Sequence, residues 1–211
     1  MIVLGLDPSL TGFGWCIHRS DVSGPGRVLS KGVWRTRPSQ IFVGRYIYLR
    51  ESVGEVLGSR PEIEAVGVES PPFGETWSEG LYGLFLFVLE AVYVHRKDVV
   101  LFDPTSVKML ARMDPNIRKG SMGKGDMVDA AKADTSISKW DHNEADAYIV
   151  ARSAARFWDF YAKRITEEEL TPSEYRAFAR THKTRGGKLV QDGAVFKEGR
   201  RFFRFSVEDT P

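Results

Sequence analysis

Cysteine is nearly absent: Cys16 is the one thiol in 211 residues. An internal disulfide is therefore excluded, and the usage fits a reducing compartment. Cys16 lies within the apolar stretch Trp15-Cys16-Ile17, so it reads as a buried, inert thiol rather than a nucleophile. Long apolar runs are missing as well. The most apolar stretch, residues 81–94, is interrupted by Gly83 and Glu90 and is too short to cross a bilayer. No N-terminal segment has the basic, apolar and cleavage regions of a secretory signal, so the expected location is the cytoplasm, or the host cytoplasm for a viral source. Net charge is small, +2, which neither demands nor excludes nucleic acid as a partner. No internal repeat is evident. What remains is an ordinary globular composition, long enough for one full domain plus an appendage.

The chain opens on an apolar, strand-favouring run, residues 2–6, that delivers Asp7 at its C-terminal end. Pro8 and the glycines Gly12 and Gly14 mark a tight turn, and Trp15-Cys16-Ile17 resumes a strand. A third strand is expected over residues 28–34, which makes an antiparallel meander with a carboxylate at the first hairpin's tip. Apolar residues at helical spacing, among them Phe42, Tyr46, Leu49 and Val53, predict an amphipathic helix over residues 41–57. Residues 65–68 repeat the opening pattern: a buried strand ending in an acid, Glu69, before Pro71-Pro72. Residues 78–96 form a helix apolar on more than one face, which needs cover from beyond its own sheet. A short strand is predicted at 99–102, a turn and helix start at Asp103-Pro104-Thr105-Ser106, and a short helix over 107–113. A Gly/Lys-rich loop spans 114–125. Helices are expected over 126–133, with Asp126 as N-cap, and over 143–163. From residue 166 the character changes. Helix interrupted near Pro172 is expected to 181, then short strands at 188–190, 194–196 and 201–207 with glycine turns.

Three acids stand out. Asp7 and Glu69 each follow an apolar strand; if the strands are sheet neighbours, both carboxylates emerge at one edge. Asp146 lies in the first turns of the last long helix, with His142 and Asn143 on the same face at spacings of four and three. Ala147 beside it lets that helix approach a sheet closely. Hard oxygen ligands on rigid elements suit Mg²⁺ or Mn²⁺. Two such ions roughly 3.5–4 Å apart activate a water and stabilise a leaving oxygen in phosphodiester hydrolysis. Singly, each acid reads as a turn or helix-start residue. Together, in this order, they read as a metal site, because adjacent carboxylates repel without cations. The glycine-rich first turn has a second reading, a phosphate cradle as in actin-like ATPases, though the chain is short for that two-lobed fold.

These residues carry a family resemblance. Asp7 with its glycine-rich turn, Glu69, Pro104-Thr105-Ser106-Val107-Lys108, the Gly/Lys loop and Asn143-Glu144-Ala145-Asp146-Ala147 together resemble a RuvC-type Holliday junction resolvase of the RNase H-like superfamily, over about residues 1–160. A viral (phage-type) member fits as well as a bacterial one. The resemblance implies an α/β fold with a mixed five-stranded sheet flanked by helices, here 1–165. The basic C-terminal tail, 166–211, expected as a helix/β-hairpin extension packed on that domain, has no counterpart in the family pattern; it either extends the DNA-binding surface or simply packs on the core. It implies paired, symmetric nicks across four-way branched DNA by a homodimer, with two Mg²⁺ per active site (Mn²⁺ able to substitute) and no nucleotide cofactor. The implied metal-binding and catalytic set is Asp7, Glu69, Asp146 and a fourth group. The family pattern usually places that group three residues before the last acid, where this chain has Asn143; a spacing of four selects His142. His142 is preferred because imidazole is the better ligand, with Asn143 and Asp141 as alternatives.

By the same resemblance Lys108 and Lys124 match basic positions near scissile phosphates. Arg118, Lys119 and Lys124, interleaved with Gly120, Gly123 and Gly125, can hold phosphates through cations and close backbone approach. Phe73, with Trp77 as second candidate, matches an aromatic that stacks on junction bases. The helix 78–96 matches the region that pairs subunits, with burial under the tail as the other explanation. Other RNase H-like nucleases, acting on other branched DNA or on RNA–DNA hybrids, are rivals, as is a catalytically weak junction-binding protein, for which Asn143 is the best support.

Overall fold

The computed structural model describes residues 1–21, 24–71, 79–112, 122–179, 181–183 and 189–191. The strands are β1 (Ile2–Asp7), β2 (Gly12–Asp21), β3 (Gly24–Arg35), β4 (Ala65–Glu69) and β5 (Asp98–Phe102); β1, β4 and β5 are short continuous apolar runs buried on both faces. Helices α1 (Phe42–Ser59), α2 (Glu79–Val94), α3 (Pro104–Ala111), α4 (Lys124–Asp134) and α5 (His142–Tyr161) lie between and after them. The strands make one sheet in the order β3-β2-β1-β4-β5. The meander β1-β2-β3 is antiparallel, while β4 and β5 join parallel to β1, so the sheet is mixed, as expected.

Strand alternation assigns the two faces. Gly5, Gly14 and Gly67 face α5, and Leu4, Leu6 and Phe13 alternate to the other side, all fully buried. On that other side α1 and α2 pack on each other. Arg50 bridges to Glu90 in two hydrogen bonds, and the Tyr46 ring packs tilted against that of Phe87 with centroids 5.4 Å apart. The helix that sequence reading left in need of cover thus finds part of it in α1; its other side leaves Tyr82, Leu86, Tyr93 and Val94 exposed.

Two helix starts show how capping sets the boundary. The third helix begins at Pro104, within the expected helix start at Asp103–Ser106, because Asp103 caps it: its Oδ1 accepts from the amides of Thr105 and Ser106 at 2.9 and 3.0 Å, and proline is preorganised for the first helical position. The fourth begins at Lys124 inside the expected loop. Asp126 is not its N-cap but its third residue, and its carboxylate accepts from the Gly123 amide at 2.7 Å.

After α5 come a 3-10 turn, Glu167–Glu169, and a helical segment from Pro172 to Ala179, broken at the expected place. Phe178 is buried against Phe102 and Phe157, with ring centroids 6.5 and 5.6 Å away, so this part of the tail packs into the main core. Thr181, read as the last residue of a helix, instead opens strand β6 (Thr181–Lys183), which pairs antiparallel with β7 (Leu189–Gln191). The strands expected at 194–196 and 201–207 lie outside the described residues.

Candidate active site at the sheet–helix junction

Asp7 and Glu69 end neighbouring parallel strands. Leu6 pairs with Val68, and continuing the register by one residue sets Asp7 beside Glu69. Both lie on the face that α5 covers. The helix lies unusually close there. A Cβ added at Gly5 would sit 2.2 Å from the Ala147 carbonyl oxygen, and one at Gly14 would sit 2.0 Å from that of Asn143. Helix backbone therefore rests on sheet backbone, with Ala147 and Ala151 at the contact. Asp146, the residue before Ala147, is carried over the ends of β1 and β4 as a result.

The start of α5 is pinned by the edge strand β3. Asp141 caps the helix, accepting from the Asn143 amide at 2.9 Å, and Glu144 accepts from the Asp141 amide at 3.1 Å. Arg35 holds Asp141 at 2.8 Å, and Lys31 holds Glu144 while lying 4.6 Å from the centre of the Trp140 ring. Arg35 and Lys31 were not singled out from sequence. Their spacing of four on a strand, which puts them on one face, was the available signal.

The three acids act on one another. Burial, then the Asp146 carboxylate, push Asp7 up to about 7. Burial, then Asp7 and Asp146, raise Glu69 well above the usual carboxylate range. Burial pushes Asp146 up to about 6 against the opposing pull of His142, Lys124 and Lys108. Each carboxyl thus loses water on folding and receives too little positive charge to replace it.

The cations of this neighbourhood are Lys108, in the last turn of α3, and Lys124, the first residue of α4. Lys108 opposes the upward shifts of Glu69 and Asp146; Lys124 opposes those of Asp7 and Asp146. Lys124 Nζ is 3.3 Å from His142 Nε2, and His142 Nδ1 is 3.7 Å from Asp141 Oδ1. An ammonium donating to Nε2 assigns the ring proton to Nδ1, facing that carboxylate. The candidates for a fourth ligand are differently placed. Asp141 is engaged as cap and by Arg35. The Asn143 side chain lies against Gly12, whose added Cβ would sit 2.7 Å from Asn143 Nδ2. Of the two titratable candidates, His142 opposes the upward shift of Asp146, whereas Asp141 adds to it. Phe73, Trp77, Arg118 and Lys119 lie outside the described residues.

Among the described residues no three His, Cys, Asp or Glu groups converge tightly enough to enclose an ion. The donor chemistry nonetheless fits a divalent cation. The oxygens are hard, they stand on rigid elements, and their shared repulsion is what a cation relieves.

No protein-family model matches the sequence, and no curated protein is significantly similar to it. Solved structures do match. The chain is similar to Thermus thermophilus RuvC in complex with a Holliday junction substrate, at 25% identity and a TM-score of 0.63 over 78% of this chain and 96% of that one. Thermus thermophilus RuvC in a further structure matches at 25% identity and a TM-score of 0.62, over the same shares. Fowlpox virus resolvase in complex with substrate Holliday junction DNA gives 13% identity and a TM-score of 0.46 over 74% and 97%, too low to add weight. The fold is RuvC-like: the mixed five-stranded sheet with flanking helices of the RNase H-like class.

Proposed function

We propose that this protein is a structure-selective endonuclease that resolves four-way DNA junctions by paired nicks. One observation carries the reading: three acids from β1, β4 and α5 are desolvated together and raise one another's affinity for positive charge, at the strand ends of a RuvC-like fold. Both Thermus RuvC structures share that fold, and one of them holds a Holliday junction substrate.

In this reading Asp7, Glu69, Asp146 and His142 hold two Mg²⁺ ions, with Mn²⁺ able to substitute. When bound, the ions supply charge stabilisation and a nucleophilic water for in-line phosphodiester cleavage. The carboxylates of Asp7 and Glu69 are set by strand register, so their separation is fixed before substrate arrives. Asp146 closes the site from the helix side. Lys108 and Lys124 reach the same acids electrostatically from α3 and α4. They are therefore placed to orient phosphate oxygens and to offset the charge of an approaching backbone. Phe73 is assigned to stacking on junction bases, and Arg118 and Lys119 to the phosphates. Two cuts need two sites, which a two-fold dimer supplies. The exposed side of α2, with Tyr82, Leu86, Tyr93 and Val94, is the face we assign to pairing.

A junction-binding protein of low activity is the second reading. It is favoured by the absence, among the described residues, of three converging ligand side chains. Cleavage of a synthetic mobile four-way junction, beside duplex and RNA–DNA hybrid controls, in Mg²⁺ and then Mn²⁺, separates the two. The nuclease reading expects symmetric paired nicks on the junction alone, lost in Asp7→Asn. Tight junction binding with no cleavage in either metal supports the second reading, and preferential hybrid cleavage overturns both.

A further inference from the structure

The first turn of α1 meets the turn that follows Asp7. Arg45 is only 7% exposed, yet its guanidinium is directed at neutral oxygens. Its Nε donates to Thr36 Oγ1 at 2.9 Å, and its Nη2 donates to the Leu10 carbonyl at 2.7 Å. The Thr36 hydroxyl donates to that same carbonyl. The Phe42 ring lies 5.9 Å from the guanidinium carbon. Burying a cation against neutral acceptors is expensive, because its lost hydration is only partly replaced. A neutral, apolar residue would fill the same space more cheaply, so packing alone does not account for it.

The neighbouring residue extends the contact to α2. Tyr46 Oη donates to the Gly80 carbonyl at 2.7 Å, in the first turn of that helix. A Cβ at Gly80 would sit 2.2 Å from Phe42 Cζ and 3.2 Å from Leu10 Cδ1, so Leu10, Phe42 and the α2 backbone interlock. One helical turn, carrying Phe42, Arg45 and Tyr46 on one face, therefore holds both the β1–β2 turn and the start of α2.

We propose that Arg45 is a positioning residue for Asp7: with Thr36 it fixes the Leu10 carbonyl, and so the turn through which Asp7 presents its carboxylate to the site. This rests on the nuclease reading of Asp7. The rival is a strut that stabilises the fold and leaves Asp7 unchanged.

The test compares full-length Arg45→Gln, Thr36→Val and Thr36→Ser with the unmodified chain. Three quantities are read: the single-turnover junction cleavage rate, junction affinity in EDTA, and the carboxyl-carbon NMR resonance of Asp7 at fixed pH. Positioning expects the rate to fall about 10- to 100-fold in Arg45→Gln and Thr36→Val. Affinity stays within about twofold, since these side chains lie beneath the surface. The Asp7 resonance moves in both variants, and Thr36→Ser, which keeps the hydroxyl, recovers most of the rate and the original resonance. An unmoved Asp7 resonance in folded Arg45→Gln and Thr36→Val overturns the proposal. So does a Thr36→Ser variant as damaged as Thr36→Val, since then the methyl group matters and not the hydrogen bond. If Arg45→Gln does not fold, the Thr36 pair decides alone. If the unmodified chain cleaves no junction, the nuclease reading fails separately, while the Asp7 resonance still reports on Arg45.

Discussion

Two clusters of buried charge along α5 are built oppositely. Toward the helix start, Asp146 faces Asp7 and Glu69, acids that raise one another. Further along, Asp134 at the end of α4 is 9% exposed but paired with a cation. Its Oδ2 accepts from the Tyr148 hydroxyl and from Arg152 Nη1 at 2.6 Å, while Arg152 Nη2 donates to the Leu110 carbonyl at 2.6 Å. That network stitches α3, α4 and α5 together. His18 from β2 packs edge-on against the Tyr148 ring, with centroids 5.7 Å apart. Burial, then Arg152, push its imidazole down to about 4. A matched cluster is scaffold, because its charges are satisfied without help. A cluster of one sign is left in need of a partner, and here it stands where the strands end.

The comparison breaks most visibly at Arg152. Its replacement in Arg152→Ala strands Asp134 and frees the Leu110 carbonyl, and should lower stability by about 3–5 kcal/mol in urea unfolding. Added Mg²⁺ should not restore it; restoration would mean that the two clusters are not separate. Next is Gly5→Ala, whose methyl group would meet the Ala147 oxygen and the Ala151 nitrogen. Overpacking there should cost about 1–3 kcal/mol. It should also slow junction cleavage more than a surface substitution of equal stability cost, because α5 carries Asp146. Equal slowing in both would show that the close approach serves packing only.

The smallest effect sharpens the scaffold side. His18 stays neutral in the fold, whereas in the unfolded chain it takes up a proton below its usual pKa of 6.5. Its contribution is therefore present above 6.5 and is lost as pH falls from 6.5 toward 4, on the order of 1 kcal/mol after relaxation. His18→Phe should flatten that part of the stability–pH curve. An unchanged slope between the two proteins would remove His18 from the account.

The parts of this site that lie within strands were legible in the sequence. Asp7 and Glu69 each end an apolar run, and a strand's direction fixes where its last residue emerges. The antiparallel meander followed from the same runs, while the mixed sheet came from the family resemblance. Helix starts were less legible, since capping competes with pattern. Asp103-Pro104-Thr105-Ser106 read as a turn and helix start without fixing which residue opens the helix, and Lys124 looked like loop because Gly123 carries no capping side chain. The matched cluster was not legible at all. His18, Leu110, Asp134, Tyr148 and Arg152 come from four elements, and nothing local marks them as partners. The Arg45 contact to Leu10 was hidden for the same reason, across 35 positions.

The most direct test of the central contrast is the unfolding midpoint of the unmodified chain and of Asp7→Asn, each without metal and with Mg²⁺, across pH 4 to 8. Asp7 titrates at about 7 in the fold against 3.8 in the unfolded chain, so the fold binds its proton more tightly. Metal-free stability should therefore fall as pH rises from about 4 through 7, by on the order of 2 kcal/mol. Asp7→Asn should remove that fall and be the more stable protein at neutral pH, and Mg²⁺ should stabilise the unmodified chain well above the variant. Equal metal-free stability at neutral pH, or the same Mg²⁺ response in both, would contradict the reading of these acids as an unmatched cluster that awaits a cation.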